Sequence, residues 1–230
     1  MTQEPIDLLK KLEFFQVLSP SSKEKFLSQI SLITFDLGQQ IAVPEVISGR
    51  VLILLDGQVR LIGDDDGRLH SFGKFEIGSV LGAASLLCGV ALDNSIASSS
   101  GLAASISDEL LAEFYANDSN FRNWCDNQLW PSEIIHVSKS IQQRNAKSGT
   151  RSIDLIELAL QKAQRVPLNT ESIQSAIADK RQIFFASAWG DNTPGAELEN
   201  NSVPPESHPF AVRLISLPSS LVDQILSNQQ

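Results

Sequence analysis

Cysteine, histidine and positive charge are all scarce in this chain, and each shortage removes a class of function. Only Cys88 and Cys125 occur, too few for a disulfide framework and without C-x2-C spacing, so both are expected as small buried hydrophobes in a reducing compartment. His70, His136 and His208 are widely separated, and none has a cysteine or carboxylate at the spacing of HExxH or a zinc ribbon. No metal and no cofactor is therefore expected. Lys and Arg total 18 against 27 Asp and Glu, a net charge of -9, which argues against a nucleic-acid backbone as the main partner. No run nears the roughly 18 to 20 apolar residues that cross a bilayer, and the opening MTQEPID lacks the charged-then-apolar layout of a secretory signal. The expectation is a soluble cytoplasmic chain with only indirect membrane association. G-x4-GK[ST] is absent too, which excludes P-loop binding of ATP.

A hydrophobic fraction of 42% over 230 residues suffices for one well-formed core and a smaller second unit. Residues 6–18 and 20–30 read as two short helices, the second started by Ser19 as N-cap and Pro20 in the first turn. Strands follow at 32–36 and 40–43 around Gly38. Residues 50–62, RVLILLDGQVRLI, place an Asp-Gly turn between two apolar strands and read as a hairpin. Residues 63–67, GDDDG, read as a solvated second turn, because the acidic triplet lacks the spaced oxygen ligands of a calcium loop. Many short strands without intervening helices, continuing through 95–98 and 101–106, indicate an antiparallel roll.

After Ser107 the pattern becomes helical, with an acidic first turn at Asp108 and Glu109 and a further helix that Ser119 can cap and Pro131 interrupts. A polar stretch at 145–151 marks the expected boundary between a first unit at 1–144 and a second at 145–230. In the second, helices are expected at 153–163 and 172–179. The strand-like residues 182–189 could pair with 210–217, a loop taken as mobile spans about 191–209, and residues 221–226 close the chain.

The glycine-rich turn and short helix at 78–90, GSVLGAASLLCGV, together with the strands at 50–62, resemble a cyclic-nucleotide-binding domain over about residues 12–141. The resemblance implies a mainly β, α+β fold: an antiparallel β-roll or jelly roll with flanking helices, followed by the smaller C-terminal α+β unit. In that family a cassette reading F-G-E-[IVL]-[AG]-L-L and then P-R-[ST]-A holds the cyclic phosphate and ribose. Backbone N–H groups face the anion, an Arg neutralises it and a Glu accepts from the ribose. Here Gly78, Leu81, Gly82, Ala83, Ala84 and Ser85 resemble the first half, with Ala83 at the position of the Glu. Asp93, Asn94 and Ser95 resemble the second, with Asp93 or Asn94 at the position of the Arg. No Arg or Lys occurs from Phe75 to Phe121, so a shifted alignment restores no cation, and Arg60 and Arg68 are expected to be solvated. Ser85 and Ser95 could donate to a polar ligand, but no histidine stands near either to activate a nucleophile.

Residues 52–62 and 89–98, and more loosely 181–187, Pro194-Gly195 and 213–218, further resemble the N-terminal regulatory region of cyanobacterial exporters that join a cyclic-nucleotide-like domain, a cysteine peptidase and an ATP-binding cassette. That resemblance implies a noncatalytic sensor or docking module with a degenerate pocket at the cytoplasmic face of the inner membrane. Its partners would be other exporter domains, an unidentified small ligand or a second copy of the chain. A catabolite-activator type of transcription regulator is the competing reading; it requires a basic recognition helix, which the acidic chain lacks after residue 143. An enzyme on a cupin-like roll requires clustered metal ligands, which three scattered histidines do not supply.

Overall fold

The computed structural model describes residues 3–43, 45–65, 68–144, 153–188, 190–199 and 210–227. By contacts the chain divides into two compact units. The first comprises Met1–Asp64, Leu69–Leu86 and Ala91–Cys125; the second comprises Asp65–Arg68, Leu87–Val90 and Asp126–Gln230. By these contacts the division falls after Cys125; the polar stretch at 145–151, where the sequence places a boundary, lies outside the described residues.

Three helices open the first unit: α1 (Gln3–Leu9), α2 (Glu13–Gln16) and α3 (Pro20–Gln29), one more than the sequence pattern indicates, because residues 10–12 turn between α1 and α2. The strands β1 (Ser31–Phe35), β2 (Gln40–Ala42), β3 (Arg50–Asp56), β4 (Val59–Asp65), β5 (Arg68–Phe75), β6 (Val80–Leu81), β7 (Ser95–Ala97) and β8 (Gly101–Ser107) form two four-stranded sheets, ordered β1-β8-β3-β6 and β2-β7-β4-β5. Helix α4 (Ala83–Cys88) lies between β6 and β7, and α5 (Asp108–Asn117) and α6 (Ser119–Asn127) follow the roll. Phe35, Leu52, Leu54, Leu81 and Ala103 of one sheet pack with Val59 and Ala97 of the other to form the roll's core.

The expected hairpin at 50–62 is corrected by this topology. Strands β3 and β4 belong to different sheets, and the Asp56-Gly57 turn carries the chain from one to the other. Gly57 has φ +83°, and a Cβ there would stand 2.7 Å from the Ser100 carbonyl oxygen; a Cβ on Gly101 would stand 2.3 Å from that of Asp56. The corner thus closes backbone against backbone, which only glycine allows. Five consecutive residues of β3 are buried, since Leu52 and Leu54 point into the roll while its other face meets α1 and α5. The second expected turn also moves: Gly63 lies within β4, where the Phe72 ring of β5 covers the space its side chain would fill.

An aromatic cluster holds the helices of this unit together. Phe121 of α6 meets Phe14 of α2 at 5.3 Å, Phe114 of α5 at 6.0 Å and Trp124 at 5.7 Å between ring centroids, and Phe26 of α3 meets Phe14 at 5.7 Å. Ser19 caps α3 as expected, accepting from Ser22 N at 3.3 Å. Helix α6 is capped by Asp118 rather than Ser119: one carboxylate oxygen accepts from Asn120 N and Phe121 N at 3.2 Å each, and the other from Ser19 N at 2.7 Å. Burial alone would raise the Asp118 carboxyl, but bonds from Ser19 N–H, the Ser22 and Ser19 hydroxyls and Phe121 N–H outweigh it and hold it below the ordinary carboxylate value. A depressed folded-state value adds stability above the unfolded pKa of about 4 and loses it as pH falls through the folded value. Asp118→Ala should therefore cost about 1–2 kcal/mol at pH 7, with the gap between variant and parent narrowing in thermal melts as pH falls below the unfolded carboxyl value of about 4.

The second unit places a three-stranded sheet between helices. Strands β9 (Gln164–Val166), β10 (Arg181–Phe185) and β11 (Leu214–Pro218) run antiparallel in the order β10-β11-β9, with Ile183 opposite Ser216 as the strand pattern suggests. Helices α7 (Pro131–Arg144), α8 (Ile153–Lys162) and α10 (Ser219–Ser227) pack on Phe184, Ile215 and Leu217. Helix α9 (Thr170–Ala178) packs on Ile183, Phe185 and Leu214. Alternation along β10 and β11 sends successive side chains to these two cores. Helix α7 joins this unit because its stripe of Ile134, Val137 and Ile141 is buried there. Part of the segment expected as a loop at 191–209 runs along β10: Phe185 N donates to Ala196 O at 2.8 Å and Leu198 N to Ile183 O at 2.8 Å, while residues 200–209 lie outside the described residues.

Candidate functional site

The cassette at 78–95 is built on the edge of β3. Gly78 N donates to Leu54 O at 2.8 Å, Leu54 N donates to Ser79 O at 2.9 Å, and β6 pairs Leu81 with Leu52. Gly82 then turns the chain into α4 with φ +86°, and a Cβ there would stand 2.7 Å from the Arg50 carbonyl oxygen. The close approach of two backbones therefore aims α4, whatever the cassette holds.

The side chains that follow are committed inward. Ala83 and Ala84 are buried methyl groups, so neither position brings a carboxylate to the start of α4. Ser85 is buried; its hydroxyl donates to Asp93 Oδ2 at 2.8 Å and accepts from Leu92 N at 3.0 Å and Asp93 N at 3.2 Å. The loop after α4 is thereby tied back onto the helix by Asp93. Asn94 is half-buried and its carbonyl accepts from Ile62 N at 2.8 Å. Ser95, 1% exposed on β7, has no hydrogen-bond partner for its hydroxyl among the described residues. Arg60 is exposed on β4, and the Arg68 side chain lies outside the described residues. A phosphate placed here would meet a carboxylate and no guanidinium from the cassette itself. A serine bonded to a carboxylate without an imidazole also lacks the base of a nucleophilic centre.

A second group of interacting charged side chains, absent from the sequence reading, lies within the second unit. Glu133 of α7 is 0% exposed and Arg213 1%, and they form an ion pair in which Arg213 Nε and Nη2 donate to the two carboxylate oxygens. Arg213 Nη2 also donates to Gln128 O at 2.7 Å, while Cys88 Sγ donates to Glu133 Oε1 at 3.2 Å. Burial, and then the Glu133 charge, push the Cys88 thiol well above its ordinary value, so it stays protonated; this is the reverse of an activated nucleophile. Burial alone would lower Arg213, and the Glu133 carboxylate outweighs it, raising the guanidinium above its ordinary value. Nearby Arg165 is pushed down to about 10 by burial and by Arg213, and donates to the carbonyls of Asp126, Val166 and Leu214. Cys88 is buried as expected, but as a hydrogen-bond donor rather than a hydrophobe. The available signal was a lone charge in each of two apolar runs, Glu133 before Ile134 and Ile135, and Arg213 before Leu214 and Ile215.

Two of the three histidines lie among the described residues. Burial, and then Lys139, lower His136 below the ordinary imidazole value, His70 stacks edge-on against Phe72 at 4.8 Å, and His208 lies outside the described residues. Among the described residues no group of three or more His, Cys, Asp or Glu could hold a metal ion, and no helix is long and apolar enough to cross a membrane.

No family model matches the chain, and no curated protein matches it. Solved structures do. The regulatory subunit of a cAMP-independent protein kinase A from Trypanosoma brucei aligns at 20% identity over 52% of this chain and 48% of its own, with TM-score 0.42. A putative cyclic nucleotide-binding protein from Geobacter metallireducens aligns at 19% identity over 55% of this chain and 92% of its own, with TM-score 0.47. The sensor domain of the transcriptional regulator DNR from Pseudomonas aeruginosa aligns at 14% identity over 63% of this chain and 93% of its own, also with TM-score 0.47. The match thus spans about half the length of the trypanosome regulatory subunit.

Proposed function

We propose that the roll is a noncatalytic regulatory module whose cyclic-nucleotide-type cassette has lost its phosphate chemistry. The observation that carries this reading is the closure of the cassette on itself: Asp93 is bonded to Ser85, Asp93 or Asn94 falls where the family pattern has a cation, and a buried Ala83 methyl falls where it has a carboxylate. A charge-assisted bond contributes about 1.5–3 kcal/mol, and an acid facing the phosphate adds repulsion, so the two exchanges together weaken a cyclic nucleotide on the order of a thousandfold. Isothermal titration with cyclic AMP and cyclic GMP should give no saturation below about 1 mM. Micromolar heat from either would overturn the reading.

The resemblance to the regulatory heads of cyanobacterial exporters supports a finer version, in which this module acts at the cytoplasmic face of a transporter and signals to domains joined to it. Antibody against the roll should then detect a membrane-bound polypeptide several times larger than 25.1 kDa in the native cell. A free species of about that mass, confined to the soluble fraction, would sink the exporter assignment while leaving the cassette reading in place.

A further inference from the structure

The first unit carries an open groove of about 710 Å³ between α1 and the end of β3, with no residue of the cassette at 78–95 in its lining. Its apolar lining is Pro5, Leu8, Leu55 and Leu102, of which Leu55 is 2% exposed. Around these stand Glu4, Asp7 and Asp56, all exposed, with Lys11 as the one cation of the lining among the described residues. Glu4, Asp7 and Leu8 fall at the spacing that puts residues on one face of a helix, so α1 presents acids beside an apolar contact in a single stripe, and Lys11 follows in the turn after it. Asp7 shares its charge with Lys10 at 3.8 Å, whereas no ion pair engages Glu4 or Asp56 among the described residues.

We propose that this groove docks a short basic segment of a partner protein, with lysine or arginine reaching Glu4 and Asp56 and an intervening leucine-sized side chain seated on Leu8, Leu55 and Leu102. Charge selects the occupant. The excess of acid at the rim attracts cations, and the net charge of -9 steers basic partners toward the molecule. A second copy of this chain brings the same negative rim and the same net charge, which repel it. The apolar lining supplies a seat that salt does not screen, so the contact is expected to weaken with ionic strength without vanishing.

Fluorescence anisotropy with a labelled peptide of leucine and lysine tests the proposal, with a leucine–glutamate peptide as control. The leucine–lysine peptide should saturate the protein and the control should not. Glu4→Lys combined with Asp56→Lys should weaken binding about tenfold or more. Glu24→Lys combined with Asp223→Lys, which changes the net charge equally at exposed positions outside the groove, should change it by less than about twofold. Equal weakening by both pairs would reduce the effect to bulk charge and overturn the proposal, as would absence of saturation. Sedimentation showing self-association that Asp56→Lys abolishes, without peptide binding, would assign the groove to a second copy and likewise overturn it. The cyclic-nucleotide titration is untouched by any of these results, so the two readings fail separately.

Discussion

Glu133→Ala is expected to lower the unfolding free energy by about 3–5 kcal/mol, because it leaves the Arg213 guanidinium buried without its counter-charge. Glu133 accepts from Arg213 and from Cys88 Sγ, so its removal also strands a buried thiol, though a thiol is a weak donor and adds little. Arg213→Ala should cost a similar amount through the uncompensated carboxylate, and in addition gives up its bond to Gln128 O. The double replacement Glu133→Leu with Arg213→Met separates pairing from burial: it removes both charges and keeps side-chain volume, and is expected to cost far less than either alanine variant. Urea denaturation of the four proteins provides the test. If each single substitution cost under about 1 kcal/mol, the pair would be behaving as a solvated surface bridge, contrary to its burial.

Phe121→Ala should be comparably damaging, at about 3–5 kcal/mol. The ring is fully buried and touches Phe14, Phe114 and Trp124, which come from α2, α5 and α6, so its loss opens a cavity where three helices meet. Those helices cannot collapse freely into the space, because Asp118 ties the start of α6 to Ser19 at the start of α3. Phe121→Leu keeps most of the volume and should cost roughly 1–2 kcal/mol. Tryptophan fluorescence during denaturation should report both, since Trp124 stacks on Phe121 at 5.7 Å. A loss below about 1 kcal/mol for the alanine variant would mean that the aromatic cluster does not hold the helices together.

Local chemistry was legible where it decides local structure. Ser19 and Pro20 announce α3, and Ile183, Phe184 and Phe185 together with the apolar residues Leu214, Ile215 and Leu217 announce two strands of the second sheet. The same kind of signal misled at residues 50–62. An Asp-Gly turn between apolar strands fits a hairpin and a corner equally well, since both need positive φ at the glycine. What separates them is whether the outgoing strand finds its partner beside the incoming one or in the other sheet, and that depends on β7 and β8, more than thirty residues away.

By itself the sequence determined that residues 75–121 carry no lysine or arginine, because a side chain absent from the sequence is absent in every conformation. Only tertiary structure decided where the remaining charges went. Asp93 turns toward Ser85, and Arg213 meets Glu133 across eighty positions of chain, because a buried charge must find a partner and the partner is supplied by packing rather than by sequence neighbours.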